Sequence, residues 1–166
     1  MLYIILYLGA IVLANLLITW LGPSAAIWVA FLFIGLDLTA RDHLHEAWHG
    51  RGLLWKMTLL IGTGSLLSWV LNRNAGQIAI ASFVAFACAG TADALIYHLL
   101  GDKAKLLKIN GSNIVSAAVD SAVFPALAFG FPLLWAVMLG QFAAKVAGGF
   151  LWSLMGGLIP LIRFRC

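Results

Sequence analysis

Charge is what this sequence has least of. Only 10% of its 166 residues are charged, six are Asp or Glu, and Glu46 is the single glutamate. So few ionisable side chains cannot cover the surface of an ordinary water-soluble domain. Thiols are as scarce. Cys88 lies inside an apolar run and Cys166 at the last position, which excludes a disulfide framework and a spaced thiolate metal motif. There is no G-x-x-x-x-G-K-[ST] loop, so the chain carries no P-loop of its own for ATP hydrolysis. Nor does a Pro-, Gly- or Ser-rich linker divide it, and residues 1–166 read as a single integral membrane domain.

What remains is apolar: 63% hydrophobic residues and a mean hydropathy of +1.03. Gly, Pro and charge punctuate the chain into about six stretches near spanning length, close to 2–21, 24–43, 53–71, 76–100, 111–130 and 132–160. The expected fold is therefore an all-α membrane protein of about six transmembrane helices. The first run, 2–21, lacks a basic segment before it and is expected to be a retained helix, not a cleaved signal. Lys and Arg set the orientation. With residue 1 in the cytoplasm, Arg51, Lys56, Lys103, Lys105, Lys108, Arg163 and Arg165 all fall on the cytoplasmic side, with Arg41 at a helix edge, and the outer loops keep Arg73. Both termini are expected inside. The net charge of +4 then reports topology and needs no nucleic-acid partner.

Against that background the polar residues within the spans carry the information. Asn113, Ser116, Asp120 and Phe124 share one face of a helix, because steps of three and four residues stack on one side. An acid at bilayer depth costs roughly 2.5–3.5 kcal/mol even on lenient insertion scales, so Asp120 is expected to face protein or a water-filled cavity. In the last span Gln141, Lys145, Gly148 and Trp152 form a second stripe, and a Lys145–Asp120 pair would lower the burial cost of both. That pair is open to two readings, a purely structural one and one that adds a substrate. A carboxylate accepts parallel donors, an amide offers both donors and an acceptor, and an aromatic ring offers a stacking plate. Asp120, with Asn113 or Gln141 and with Phe124 or Trp152, suits a flat polar heterocycle with adjacent N–H groups, such as a guanine-like edge.

Further polar positions are Asn15 in the first span, Asp37 with Arg41 four residues on, and Asp93 in the fourth. Asp37 and Arg41 can neutralise each other at an interface or act as a cytoplasmic gate. Asp93 ends a stripe of Ser82, Phe86 and Ala89 that continues to Tyr97, nearer the cytoplasmic end than Asp120. The second span of each three-helix half places an acid, Asp37 and Asp120, which hints at a repeat. A competing motif lies at the membrane edge. His45-Glu46-Ala47-Trp48-His49 spells H-E-x-x-H, which on a helix holds zinc between two imidazoles with the glutamate as general base, and His43 is close by. It makes an intramembrane zinc protease the alternative function, against a bland reading as an interfacial His-rich turn.

Several of these stretches together resemble the vitamin-uptake or queuosine-precursor transporters, six-helix proteins of the bacterial inner membrane. The resemblance is carried by Ala14-Asn15-Leu16-Leu17, by Leu36–Arg41 as a D-L-T-x-R element, by the Ala- and Ser-rich 78–93 ending in Asp93, by Asn113–Phe129 as an S-x-x-x-D-S-x-x-F helix, and by Gln141–Lys145. His43–His49 departs from the aromatic-Gly and basic segment expected after D-L-T-x-R. The resemblance implies a fold similar to the substrate-binding components of energy-coupling vitamin transporters. It also implies uptake of a 7-deazaguanine precursor of the tRNA nucleoside queuosine, such as 7-cyano-7-deazaguanine, with no catalysis and no cofactor. Carried over residue by residue, it puts Asn15, Asp37, Arg41, Asp93, Asn113, Asp120, Gln141 and Lys145 at polar places of the family pattern, and Ser116, Phe124 and Trp152 complete the expected substrate-binding set. A homo-oligomer and a separate energising partner are both left open.

Overall fold

The structure, a computed structural model, describes residues 2–33, 44, 48, 52–100 and 105–156; within α3 to α6 the side chains of 53, 54, 94, 97, 105–110, 149, 150 and 152–156 are not described. Among these residues the chain is helical, without strands. α1 is Leu2–Leu21, ended by Gly22-Pro23, because the residue before a proline is pushed out of the helical region. α2 begins at 25 and is helical through 33. α3 is Leu53–Leu71, closed by Asn72, whose side chain accepts from the Asn74 backbone N–H at 3.0 Å and starts the 3₁₀ turn Arg73–Ala75. α4 is Gly76–Leu99, α5 is Lys105–Phe129 and α6 is Trp135–Gly156.

To within about three residues these bounds agree with the expected spans except at the start of α5; the expected ends at 43 and 160 lie outside the described residues. Lys105 to Lys108, read from the sequence as part of a basic loop, belong to that helix. Lys and Leu are good helix formers, and the positive charge marks a membrane edge without interrupting the backbone. By length and composition Leu2–Leu21, Arg73–Asp93 and Gly111–Phe129 are long and apolar enough to cross a membrane. α3 with 19 residues and α6 with 22 reach about 28 and 33 Å at 1.5 Å per residue, also the thickness of a hydrocarbon core.

The helices alternate in direction. α1 and α3 run parallel, Gly64 facing Ile11 and Ser68 facing Asn15. α4 returns along α3, and α5 and α6 follow as an antiparallel pair. One end of the bundle thus gathers the last turns of α1, α3 and α5 with the first turns of α2, α4 and α6. It is ringed by exposed Trp20, Trp28, Trp69, Trp135 and Phe131, while exposed Trp55 sits at the other end. Amphipathic rings at both ends of an apolar bundle are the expected signature of two membrane–water interfaces. The main core, Ile18, Ala26, Val29, Ile78, Ala81, Ala85, Phe124, Ala128 and Val137, fills the aromatic-rich end; a second, of Tyr7, Ile11, Leu44, Met57 and Leu60, packs α1 on α3 at the other.

Candidate functional site

α5 presents Ser112, Ser116, Phe124 and Ala128 as a buried stripe at four-residue spacing, with Asp120 at its centre. The stripe faces α4, whose buried residues Ala81, Ser82, Ala85 and Ala89 are small enough to admit it closely. On the flank toward α6, Lys145 Nζ pairs with Asp120 Oδ2, and the two side chains keep only 13% and 14% of their surface exposed. Asp120 lies nine residues before the end of α5 and Lys145 ten after the start of α6, about 14–15 Å in from the aromatic-rich end. That is mid-bilayer depth, where water is a poor substitute for a charged partner.

Around the pair lie polar atoms whose hydrogen-bonding capacity is not used. Pro125, fully buried inside α5, has no N–H, so the Ser121 carbonyl one turn before it receives no helical hydrogen bond. The Ser121 hydroxyl, also buried, has no partner among the described residues. One turn before Lys145, Gln141 is 3% exposed; its Nε2 donates to the Ala26 carbonyl at 3.2 Å, while its Oε1 has no partner among the described residues. The donation ties α6 to the first turn of α2, where Gly140 lets the two helices approach: a Cβ there would sit 2.5 Å from Ile27 Cδ1. The group as a whole is rich in acceptors lacking donors.

The remaining expected site residues are distributed differently. Asn113 is half-buried on α5 beside the stripe. Phe124 is 6% exposed and committed to the main core, edge-on to Phe129 with ring centroids 6.0 Å apart. Asn15 is 1% exposed and belongs to another seam: its Nδ2 donates to Ser68 Oγ at 3.1 Å, and Ser68 in turn donates to the Gly64 carbonyl at 2.8 Å. Asp93 continues the stripe of α4 one turn beyond Ala89, and its Oδ1 is buried without a partner among the described residues. Trp152 lies in α6 with its side chain not described; Asp37, Arg41, His43, His45, Glu46 and His49 lie outside the described residues. Among the described residues no three His, Cys, Asp or Glu side chains come together as a metal site.

Ser68, Ser121 and Pro125 were not singled out from the sequence. A proline four residues after a serine inside an otherwise helical run was the available signal, since it predicts a freed carbonyl. A shallow groove of about 430 Å³, lined by Ala87, Cys88, Thr91, Ala92 and Leu95, lies on α4 and includes none of the residues around the charge pair. Its mostly exposed, small side chains make it a hollow in the helix flank, so the chemistry is placed at the pair and not there.

Comparison with known proteins bears on the whole bundle. The sequence model of the family described as “Putative vitamin uptake transporter” matches residues 4–156, from the first turn of α1 to the end of α6. No curated protein and no solved structure matches the chain.

Proposed function

The chain belongs to the vitamin uptake transporter family, and from that premise we propose that it imports a 7-deazaguanine precursor of queuosine, with 7-cyano-7-deazaguanine as the representative solute. The membrane is a bacterial-type inner membrane, both termini are cytoplasmic, and the solute enters between α5 and α6. The observation that carries this reading is the Asp120–Lys145 pair at mid-bundle depth, set among acceptors that lack donors.

A buried acceptor without a donor costs on the order of 1–3 kcal/mol, so a ligand that brings donors recovers that cost on binding. The guanine-like edge brings several N–H groups in one plane. Asp120 takes the ring and exocyclic N–H pair, Gln141 Oε1 and the Ser121 carbonyl take further donors, and Asn113 orients the far edge. Lys145 balances Asp120 when no solute is present and turns to the solute's own acceptors when Asp120 is engaged. Trp152, on the Gln141–Lys145 stripe, supplies the stacking plate. The pair is electrically neutral, which suits a neutral heterocycle.

The test uses bacteria unable to make queuosine precursors and lacking their own importer. The chain is expressed, 7-cyano-7-deazaguanine is supplied at low concentration, and queuosine in tRNA is assayed, with Asp120→Asn and Glu46→Gln in parallel. Queuosine is expected to return with the wild type and with Glu46→Gln and to fail with Asp120→Asn. Absence of queuosine with wild-type protein present in the membrane would remove this solute, and dependence on Glu46 would point to the His45–His49 segment.

A further inference from the structure

An importer needs an opening at its outer end, and the orientation above makes the aromatic-rich end the outer one. There the bundle is filled. Phe124 and Ala128 lie one and two turns nearer that end than Asp120, and both are buried in the main core with Ile18 of α1, Ala26 of α2, Ala81 of α4 and Val137 of α6. Val123 and Phe129, from the same two turns of α5, pack against that core. A solute arriving from this side meets these side chains before it meets the charge pair. The two turns that carry them have a weak point at each end. Pro125 has no N–H, so no helical bond holds the Ser121 carbonyl, and a proline inside a helix makes that turn a place of bending. After the last turn Gly130 stands at φ +72, which glycine adopts without steric cost. Among the described residues, nothing beyond its chain neighbours comes within 4 Å of where a Cβ on Gly130 would be. A side-chain bond ties the segment to α4: Gln77 Nε2 donates to the Leu127 carbonyl at 3.2 Å. Gln77 is exposed, so water can replace either partner of this bond.

We propose that residues 122–129 of α5 form the outer gate of the solute site, swinging on Pro125 and Gly130 with Gln77 as the latch. The gate rests on the reading of the chain as an importer with cytoplasmic termini, and not on which solute it carries. Opening breaks no helical hydrogen bond at the Ser121 carbonyl, because Pro125 leaves none to break. It exchanges the bond between Gln77 and the Leu127 carbonyl for bonds to water, which costs little. Phe124 and Ala128 are drawn out of a cluster whose α2 and α4 members include Ala26, Ala81 and Ala85, small side chains that expose little area when uncovered. The buried Ser121 hydroxyl, next in sequence to Asp120, becomes accessible from outside. Closing reverses each step and shuts the solute in, as hinged segments do when a few element-terminal residues absorb the change.

The test reads the gate with no solute present. Ser121→Cys is introduced into the full-length chain together with Cys88→Ser and Cys166→Ser. In intact cells, its rate of reaction with a charged, membrane-impermeant methanethiosulfonate supplied outside is measured. Reaction from outside is expected, and Pro125→Ala, which supplies the missing helical donor, is expected to slow it about tenfold. Pro125→Gly supplies the same N–H but keeps the turn pliable, and its rate should stay within about twofold of the parent. Gln77→Leu removes the latch and should raise the rate about threefold. Loss of the fold would expose the thiol and speed the reaction, so slowing in Pro125→Ala reports the hinge. No outside reaction in the parent, an undiminished rate in Pro125→Ala, equal slowing in Pro125→Gly, or a rate no higher in Gln77→Leu would each overturn the gate. In a second arm 7-cyano-7-deazaguanine is added during labelling of the parent. Protection of the thiol supports both the gate and the solute site beneath it. Hinge variants that behave as expected, with no protection by the solute, leave the gate standing and remove this solute.

Discussion

Two seams of the bundle bury polar side chains, and they do so differently. Between α1 and α3, Asn15 donates to Ser68 and Ser68 to Gly64, and Ile11 packs onto Gly64 so closely that a Cβ at 64 would lie 2.9 Å from Ile11 Cγ2. Between α5 and α6, Asp120 and Lys145 pair their charges while, among the described residues, the Ser121 hydroxyl and Gln141 Oε1 nearby stay without partners. A polar residue in a membrane helix is therefore not by itself a binding residue. One whose donors are spent on a neighbouring helix holds the bundle together, and one among unused acceptors has something to offer a solute.

The largest expected effect comes from breaking the charge pair. Asp120→Asn removes the carboxylate that pairs with the part-buried Lys145 and is expected to cost about 3 kcal/mol, the low end for a buried pair because both side chains keep some exposure. The double change Asp120→Asn with Lys145→Gln should recover much of that stability in thermal unfolding in detergent yet leave solute binding abolished. Recovery of binding in the double variant would make the pair purely structural.

The closed seam is sharpened by Gly64→Ala. The Cβ would meet the β-branched, stiff Ile11, so overpacking of about 2 kcal/mol is expected, with solute affinity unchanged in whatever protein remains folded. On the open seam, Gln141→Leu removes one acceptor from the solute and should weaken binding about tenfold, or about 1.4 kcal/mol, measured by ligand titration. The smallest effect is expected for Asn15→Leu. An interhelical hydrogen bond in a membrane averages about 0.6 kcal/mol, and Ser68 keeps its bond to the Gly64 carbonyl, so a melting shift of a degree or two with unaltered uptake is predicted.

Much of this arrangement was legible in the residues because membranes leave few choices. The bounds 2–21 and 53–71 agree with α1 and α3, since Gly22-Pro23 and Asn72 are strong stop signals in apolar runs. The Asp120–Lys145 pair was legible for a related reason: each is a lone charge in an uncharged stretch, and the short Gly130–Pro132 corner brings them to the same depth. The start of α5 was not, because lysine at a membrane edge reads as loop although it propagates a helix well. The role of Asn15 was not either. Its partner Ser68 is a small residue that can bond its own backbone anywhere along a helix, so no spacing rule announces the contact.

Equilibrium binding of labelled 7-cyano-7-deazaguanine to the purified protein in lipid nanodiscs, for wild type, Asp120→Asn and Asn15→Leu side by side, tests the division between the two seams most directly. Saturable binding that disappears in Asp120→Asn and persists in Asn15→Leu is the predicted result. Binding lost equally in both variants, or retained in both, would contradict the assignment of the solute site to the α5–α6 seam.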